Sequence, residues 1–337
     1  MKFLKITTIS FLVLLSVFLT CIFLSAKQIG YPPKLLINIL SQAYKQKDRL
    51  PTNINFLILG VDQRQDWLEN SLDSDTILFA NLNTDDLNLN LISLPRDLWF
   101  KPTSGRINKI YQLSFEQPDP SDFIKSSFQA LIGVPIDHVI VIDTQVLVPL
   151  VKVVGPLEIN LEHGFTDDQY PDPNHITDPQ NYSNPYMTIS FNQGLNIIDE
   201  QNILYFVRSR KGAQSTDLGG TDIGRSQRQQ LLIEAIIQKL KKINSTDFAL
   251  IANLYQIWSQ QIQKDIEDQI ILSIAFRNKL NINKLNIIST SLPIQDNLVG
   301  TIGVIYHPLY FSNNAWVYLP VETDYTSIHH FVDQQIN

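Results

Sequence analysis

The chain has 337 residues, 44% hydrophobic and 18% charged, which suits a folded protein with a substantial core. Its formal net charge is −7, and residues 28–337 hold 23 Lys and Arg against 33 Asp and Glu, a balance that argues against general nucleic-acid binding. The single cysteine, Cys21, excludes a disulfide framework and a cysteine-based metal site, and the six histidines have no spacing that suggests zinc.

Residues 6–26 carry no charge and are dominated by Leu, Ile, Phe and Val. As a helix at about 1.5 Å per residue they span roughly 31 Å, one bilayer core. Lys2 and Lys5 precede the run, so residues 1–5 are expected in the cytoplasm, with a single pass through the cell membrane and the bulk of the chain outside. The competing reading is a cleaved signal peptide, because Ser25 and Ala26 are small; the length of the run favours an uncleaved anchor. Residues 27–52 read as a membrane-proximal helix and spacer.

Residues 55–61 form a short apolar run, expected to be a buried strand. Two more strands are expected at 76–83 and 88–94, joined by a turn at 84–86. A helix over 121–132 ends at Gly133, followed by a strand at 138–142, a short helix before Gly155 and a strand at 157–161. Residues 163–186, rich in Asp, Asn and Pro, read as an exposed loop. Residues 199–207 look helical, 210–224 mobile, and 227–243 an amphipathic helix with Leu231, Ala235 and Leu240 on one face. Further helices are expected over 247–283 and strand-like runs over 285–320. Strands interleaved with helices predict an α/β fold, a sandwich of helices about a central sheet, with a main domain at 53–245 and an extension at 246–337 partly packed on it.

Seven of the nine arginines stand in four short clusters: Arg64; Arg96 with Arg106; Arg208 with Arg210; and Arg225 with Arg228. Arginine is a permanently charged planar fork that matches phosphate oxygens two at a time. Three clusters also contain aspartate, the ligand a hard divalent cation prefers. Taken singly, each has a plainer reading. Asp62 reads as a helix cap beside a solvent-facing Arg64, Asp73 and Asp75 as a polar turn, and Arg96 with Asp97 as a surface ion pair. Arg225 and Gln229 are four apart and share a face near a helix N-terminus, which favours an anion.

In order, these stretches resemble the LytR–CpsA–Psr family: ILGVDQR at 58–64, SDT at 74–76, LISLPRD at 91–97, RINK at 106–109, GVPIDH at 133–138, RSR at 208–210 and DIGRSQRQ at 222–229. The resemblance covers residues 54–243. It implies an αβα sandwich with a central mixed sheet, preceded by one transmembrane helix, binding a polyprenyl-pyrophosphate lipid in a hydrophobic channel. It also implies magnesium-dependent transfer of the linked glycopolymer to peptidoglycan outside the membrane, with manganese able to replace magnesium. By position, Asp62 and Asp75 would hold the metal. Arg64, Arg96, Arg208, Arg210 and Arg225 would hold the pyrophosphate, supported by Gln229. Arg96, Asp97, Arg208 and Arg210 are the expected catalytic residues, Asp97 orienting a partner or acting as base, and Arg228 is expected to be structural. The chain departs from the family pattern at Asp73, where arginine is usual, at Phe206, where tyrosine is usual, and in a longer loop between Arg210 and Asp222. Alternatives to transfer are a sensor that binds polyprenyl phosphates without turnover and a hydrolase with water as acceptor.

Overall fold

The computed structural model describes residues 33–62, 72–178, 180, 183–210, 222–243, 247–279, 281–295, 300, 302–311 and 316–336. Its centre is a six-stranded mixed sheet. The strands are β1 (Asn53–Val61), β2 (Ser74–Asn83), β3 (Asn88–Ser93), β4 (His138–Asp143), and, further along, β9 (Ile262–Lys264) and β10 (Asn286–Ser291), in the order β9–β4–β1–β2–β3–β10. Strands β5 (Leu157–Leu161), β6 (Phe165–Pro171), β7 (Tyr186–Phe191) and β8 (Gly194–Ile198) lie outside it, as the antiparallel pairs β5–β8 and β6–β7. β1 runs parallel to β4 and antiparallel to β2, β2 antiparallel to β3, β3 parallel to β10, and β4 antiparallel to β9.

Period-two alternation places both faces of β1 in the core. Leu57, Leu59 and Val61 pack in one cluster with Ile124, Phe128 and Leu131 of α2 (Pro120–Ile132) and with Ile328 and Val332 of α8 (Thr326–Ile336). Ile54 and Phe56, on the other side, join a cluster with Ile266 and Ile274, against which Ile233 and Trp258 pack. The helices on that side are α1 (Pro33–Gln46), α5 (Asp222–Lys241), α6 (Phe248–Gln261) and α7 (Asp268–Arg277). The result is the expected helix–sheet–helix sandwich. α3 (Leu147–Val154) and α4 (Ile203–Arg208) complete a third cluster with β5, β6, β7 and Leu232 of α5.

Local signals explain the well-read elements. Asp119 caps α2 by accepting the N–H of Asp122 at 3.0 Å, and Gly133 ends it at φ 81°, which a residue bearing a Cβ adopts at a cost. In the β2–β3 turn, Asn83 Oδ1 accepts the N–H of Asp85 at 2.9 Å.

Three readings change. The expected loop at 163–186 contains β6 and pairs with β7; Phe165, Asp167 and Tyr170 face inward, and a buried aspartate within the strand masks the alternation. The sheet takes both its outer strands, β9 and β10, from beyond residue 245, where an extension partly packed on the main domain was expected. The terminal helix α8, absent from the sequence reading, is a core element. Among the described residues no helix is long and apolar enough to cross a membrane, and the expected anchor at 6–26 lies outside them.

Candidate active site

The site forms where strand ends meet. β1, β3 and β4 run in the same direction, so Asp62, Arg96 and Thr144, each just past its strand, emerge at one edge of the sheet. Asp75 and Thr76 open the antiparallel β2 at the same edge, where Val61 pairs with Ser74. The register shifts between Gly60 and Val61. A Cβ on Gly60 would stand 2.8 Å from Cβ of Thr76, so only glycine lets the two strands close there.

Two acid–arginine groups stand side by side on this edge. Arg208 Nη2 donates to Asp62 Oδ1 at 2.5 Å, and Thr144 Oγ1 donates to the same oxygen at 2.9 Å. Asp75 is bracketed, with Arg96 Nη1 at 2.5 Å from Oδ1 and Arg225 Nη1 at 3.4 Å from Oδ2. Burial raises the pKa of Asp75, but the charges of Arg225, Arg96 and Arg210 outweigh it and hold the carboxyl below its ordinary value. Asp97 lies behind Arg96, with Arg96 Nε 3.5 Å from one oxygen and Arg106 Nη1 3.2 Å from the other. Thr76 Oγ1 donates to Gln229 Oε1 at 2.7 Å, tying β2 to the second turn of α5. Nε of Arg208 is buried with no hydrogen-bond partner among the described residues, a donor of the kind a phosphate oxygen satisfies.

The segment carrying Arg208 and Arg210 is clamped by side chains. Arg228, 3% exposed, donates from Nε to the carbonyl of Phe206 at 3.0 Å and from Nη2 to that of Ser209. Its guanidinium lies 4.1 Å over the ring of Phe165. Burial, then the charge of Arg225, lower its pKa to about 10, partly opposed by Asp167. Buried Asp167 accepts the backbone N–H of Arg210 at 3.0 Å. These contacts make Arg228 a strut under the arginine pair, as expected.

The structure brings together Asp62, Asp75, Arg96, Asp97, Arg208, Arg210, Arg225 and Gln229. The expected contribution of Arg64 and the 211–221 loop lie outside the described residues. Asp73, the first departure, pairs with Lys109 at 2.7 Å and accepts from Asn108 Nδ2 at 3.4 Å, so the RINK stretch serves it. Phe206, the second, is fully buried with its ring edge-on to Phe191 at 5.2 Å; no hydroxyl is needed there. Sequence reasoning missed Thr144 and Asp167. Thr144 carries a signal, an Asp-Thr pair directly after a strand; Asp167 looked like one more loop aspartate.

Among the described residues no three His, Cys, Asp or Glu gather as a metal cage. Magnesium held through phosphate needs fewer protein ligands, one or two carboxylates with water and phosphate oxygens. Asp62 and Asp75, hard oxygen donors on one edge, are of that class and number.

A relative from Enterococcus faecalis, the polyisoprenyl-teichoic acid–peptidoglycan teichoic acid transferase TagU, is 27% identical over 249 residues, covering 72% of this chain and 73% of its own. The TagU of Bacillus subtilis is 25% identical over 193 residues, and the match spans about half of that relative, 53%. Among solved structures, B. subtilis TagV superposes with a TM-score of 0.58 at 17% identity, over 85% of this chain and 98% of that one. TagT bound to LIIa-WTA gives 0.54 at 15% identity, over 85% and 91%. At these identities the superpositions show a shared fold. The family model for LytR–CpsA–Psr proteins matches residues 38–319, reaching well past the last motif at 229 and taking in β9 and β10. With that match across most of its length, the chain belongs to the LytR–CpsA–Psr family.

Proposed function

We propose that this protein is a membrane-anchored, extracytoplasmic phosphotransferase that moves a glycopolymer from a polyprenyl-diphosphate carrier to peptidoglycan. The observation that carries this reading is Asp75 between Arg96 and Arg225, beside Asp62 and Arg208, on one sheet edge. So dense a set of arginines, balanced in the free protein by two carboxylates, suits a ligand with several negative charges. The names of the curated relatives support the donor and acceptor classes.

α5 supplies Arg225 and Gln229 from its first turns and, further along, Leu231, Glu234 and Ala235 to an open groove of about 730 Å³ that Leu157, Ile159 and Ile287 line together with Glu158, Lys239, Lys241 and Lys242. Charged side chains along that groove do not suit a polyprenyl chain, so it is not the expected hydrophobic channel. Arg96, Arg208, Arg210 and Arg225 bind and neutralise the diphosphate. A sugar hydroxyl of the acceptor attacks the phosphorus bearing the glycopolymer, the bond to the bridging oxygen breaks, and polyprenyl phosphate leaves, the hydroxyl's proton passing to the departing phosphate. Asp62 and Asp75 are the residues that would hold magnesium, which when bound would add positive charge beside the diphosphate. Asp97, with both oxygens engaged by arginines, orients Arg96; it is poorly free to take a proton.

Native mass spectrometry of the full-length protein extracted from membranes tests the ligand class. A polyprenyl diphosphate or monophosphate should co-purify and be absent from Arg208→Ala. Extraction without any polyprenyl species, from cells that contain them, would refute the assignment.

A further inference from the structure

Residues 297–321 hold no Asp, Glu, Lys or Arg, the longest charge-free run in a chain that is 18% charged. The described residues of this run, 300, 302–311 and 316–321, sit on a three-stranded sheet of Ile294–Gln295, Ile305–Tyr306 and Leu319–Pro320, with Ile305 and Val317 buried. From this base Leu309 is 94% exposed, Tyr310 89% and Trp316 56%. Ring contacts hold the tip. His307 stacks on Trp316 at 3.7 Å between centroids, and Phe311 meets Trp99 edge-on at 4.8 Å. Exposed Leu309 and Tyr310, flanked by rings held in this way, mark an interaction surface.

This tip is joined to the arginine site. Trp99 donates its N–H to the carbonyl of Tyr318 at 2.8 Å, and Tyr318 donates to the carbonyl of Asp97 at 3.0 Å. Asp97 in turn is the ion partner of Arg96. We propose that Leu309, Tyr310 and Trp316 insert into the interface of a lipid bilayer and seat the arginine edge against the membrane. Trp and Tyr favour the headgroup level, Leu the acyl boundary, and a segment without charges has no ionised group to dehydrate on entry. A glycan platform would set carboxylates beside its aromatic rings, and this run has none. The use of such seating, presenting the arginines to a lipid-linked donor, rests on the transferase reading; the seating itself does not.

The test uses the full-length protein with Cys21→Ser, its only native cysteine, reconstituted into phosphatidylcholine vesicles. Nitroxide labels are attached in turn at Leu309→Cys, Tyr310→Cys and Leu195→Cys, the last an exposed leucine on β8 serving as reference. Power-saturation spectroscopy should show oxygen-rich, nickel-poor collision at 309 and 310 and the reverse at 195. Aqueous values at all three positions would overturn the proposal. In the same vesicles Leu309→Ser with Tyr310→Ser should raise the apparent KM for an embedded polyprenyl-diphosphate donor about tenfold and leave turnover of a short, water-soluble diphosphate donor unchanged. Equal loss on both donors would contradict the seating role. An unsubstituted protein inactive on both would count against the transferase reading alone, with the labelling result unaffected.

Discussion

At the scale of single residues, the site divides into groups that face a ligand and groups that hold them. Arg208 is of the first kind. On the proposed function, each charge-assisted hydrogen bond from Arg208 to phosphate would contribute about 1.5–3 kcal/mol, and only bonds strengthened in the transition state accelerate transfer. Arg208→Ala should therefore remove transfer while the unfolding transition stays cooperative; full activity would remove Arg208 from the site. Arg228 is of the second kind. Its fork spans the carbonyls of Phe206 and Ser209, a geometry lysine's point charge cannot reproduce. Arg228→Lys should cost roughly 1–3 kcal/mol per carbonyl left unpaired in urea unfolding, and lower turnover with it. Unchanged stability would mean that the strut is dispensable. The sorting of arginines in the sequence made the first group legible, because charge type and spacing are local properties. Asp167 was not legible, since its role depends on Arg210 arriving beside it from another part of the chain. Thr144 had a local signal that went unread, its place after Asp143 at the end of a strand.

At the scale of elements, the edges of the sheet are secured by side-chain clamps. Asp265 accepts the N–H of Val139 at 2.7 Å and the hydroxyl of Ser121 at 3.0 Å, and pairs with Lys125 at 2.7 Å, fastening the turn after β9 to β4 and α2. Burial raises the pKa of Asp265, but Lys125 and the N–H and O–H donors more than offset this and leave it below its ordinary value. A depressed folded pKa contributes stability that is present above the unfolded value and lost as pH falls through the folded one. The clamp should thus be complete at neutral pH and fail only under acid conditions. Asp265→Asn is expected to cost about 1.5–3 kcal/mol near pH 7 and to narrow the gap from wild type below about pH 4. A gap independent of pH would contradict the assignment. Strands β1 to β4 were legible because they are long or bounded by turn signals. β9 has three residues and follows a helix without a break, and β6 hides an inward aspartate; in both, the decisive force is tertiary pairing.

At the scale of the whole molecule, an acidic body gathers Arg96, Arg208 and Arg225 on one edge of the sheet and leaves a charge-free tip beside it. The outer strands from beyond residue 245 are part of the same sheet as the motifs, consistent with a family match that runs to residue 319. On the proposed function, the arginine edge transfers a lipid-linked polymer and does not merely hold the lipid. The most direct measurement supplies the full-length protein, in vesicles with magnesium, with a radiolabelled polyprenyl-diphosphate glycopolymer and peptidoglycan fragments. Labelled polymer joined to peptidoglycan, in equal amount with polyprenyl monophosphate released, is the predicted result. Binding of the donor without either product, or release of free polymer at the same rate with and without peptidoglycan, would contradict it.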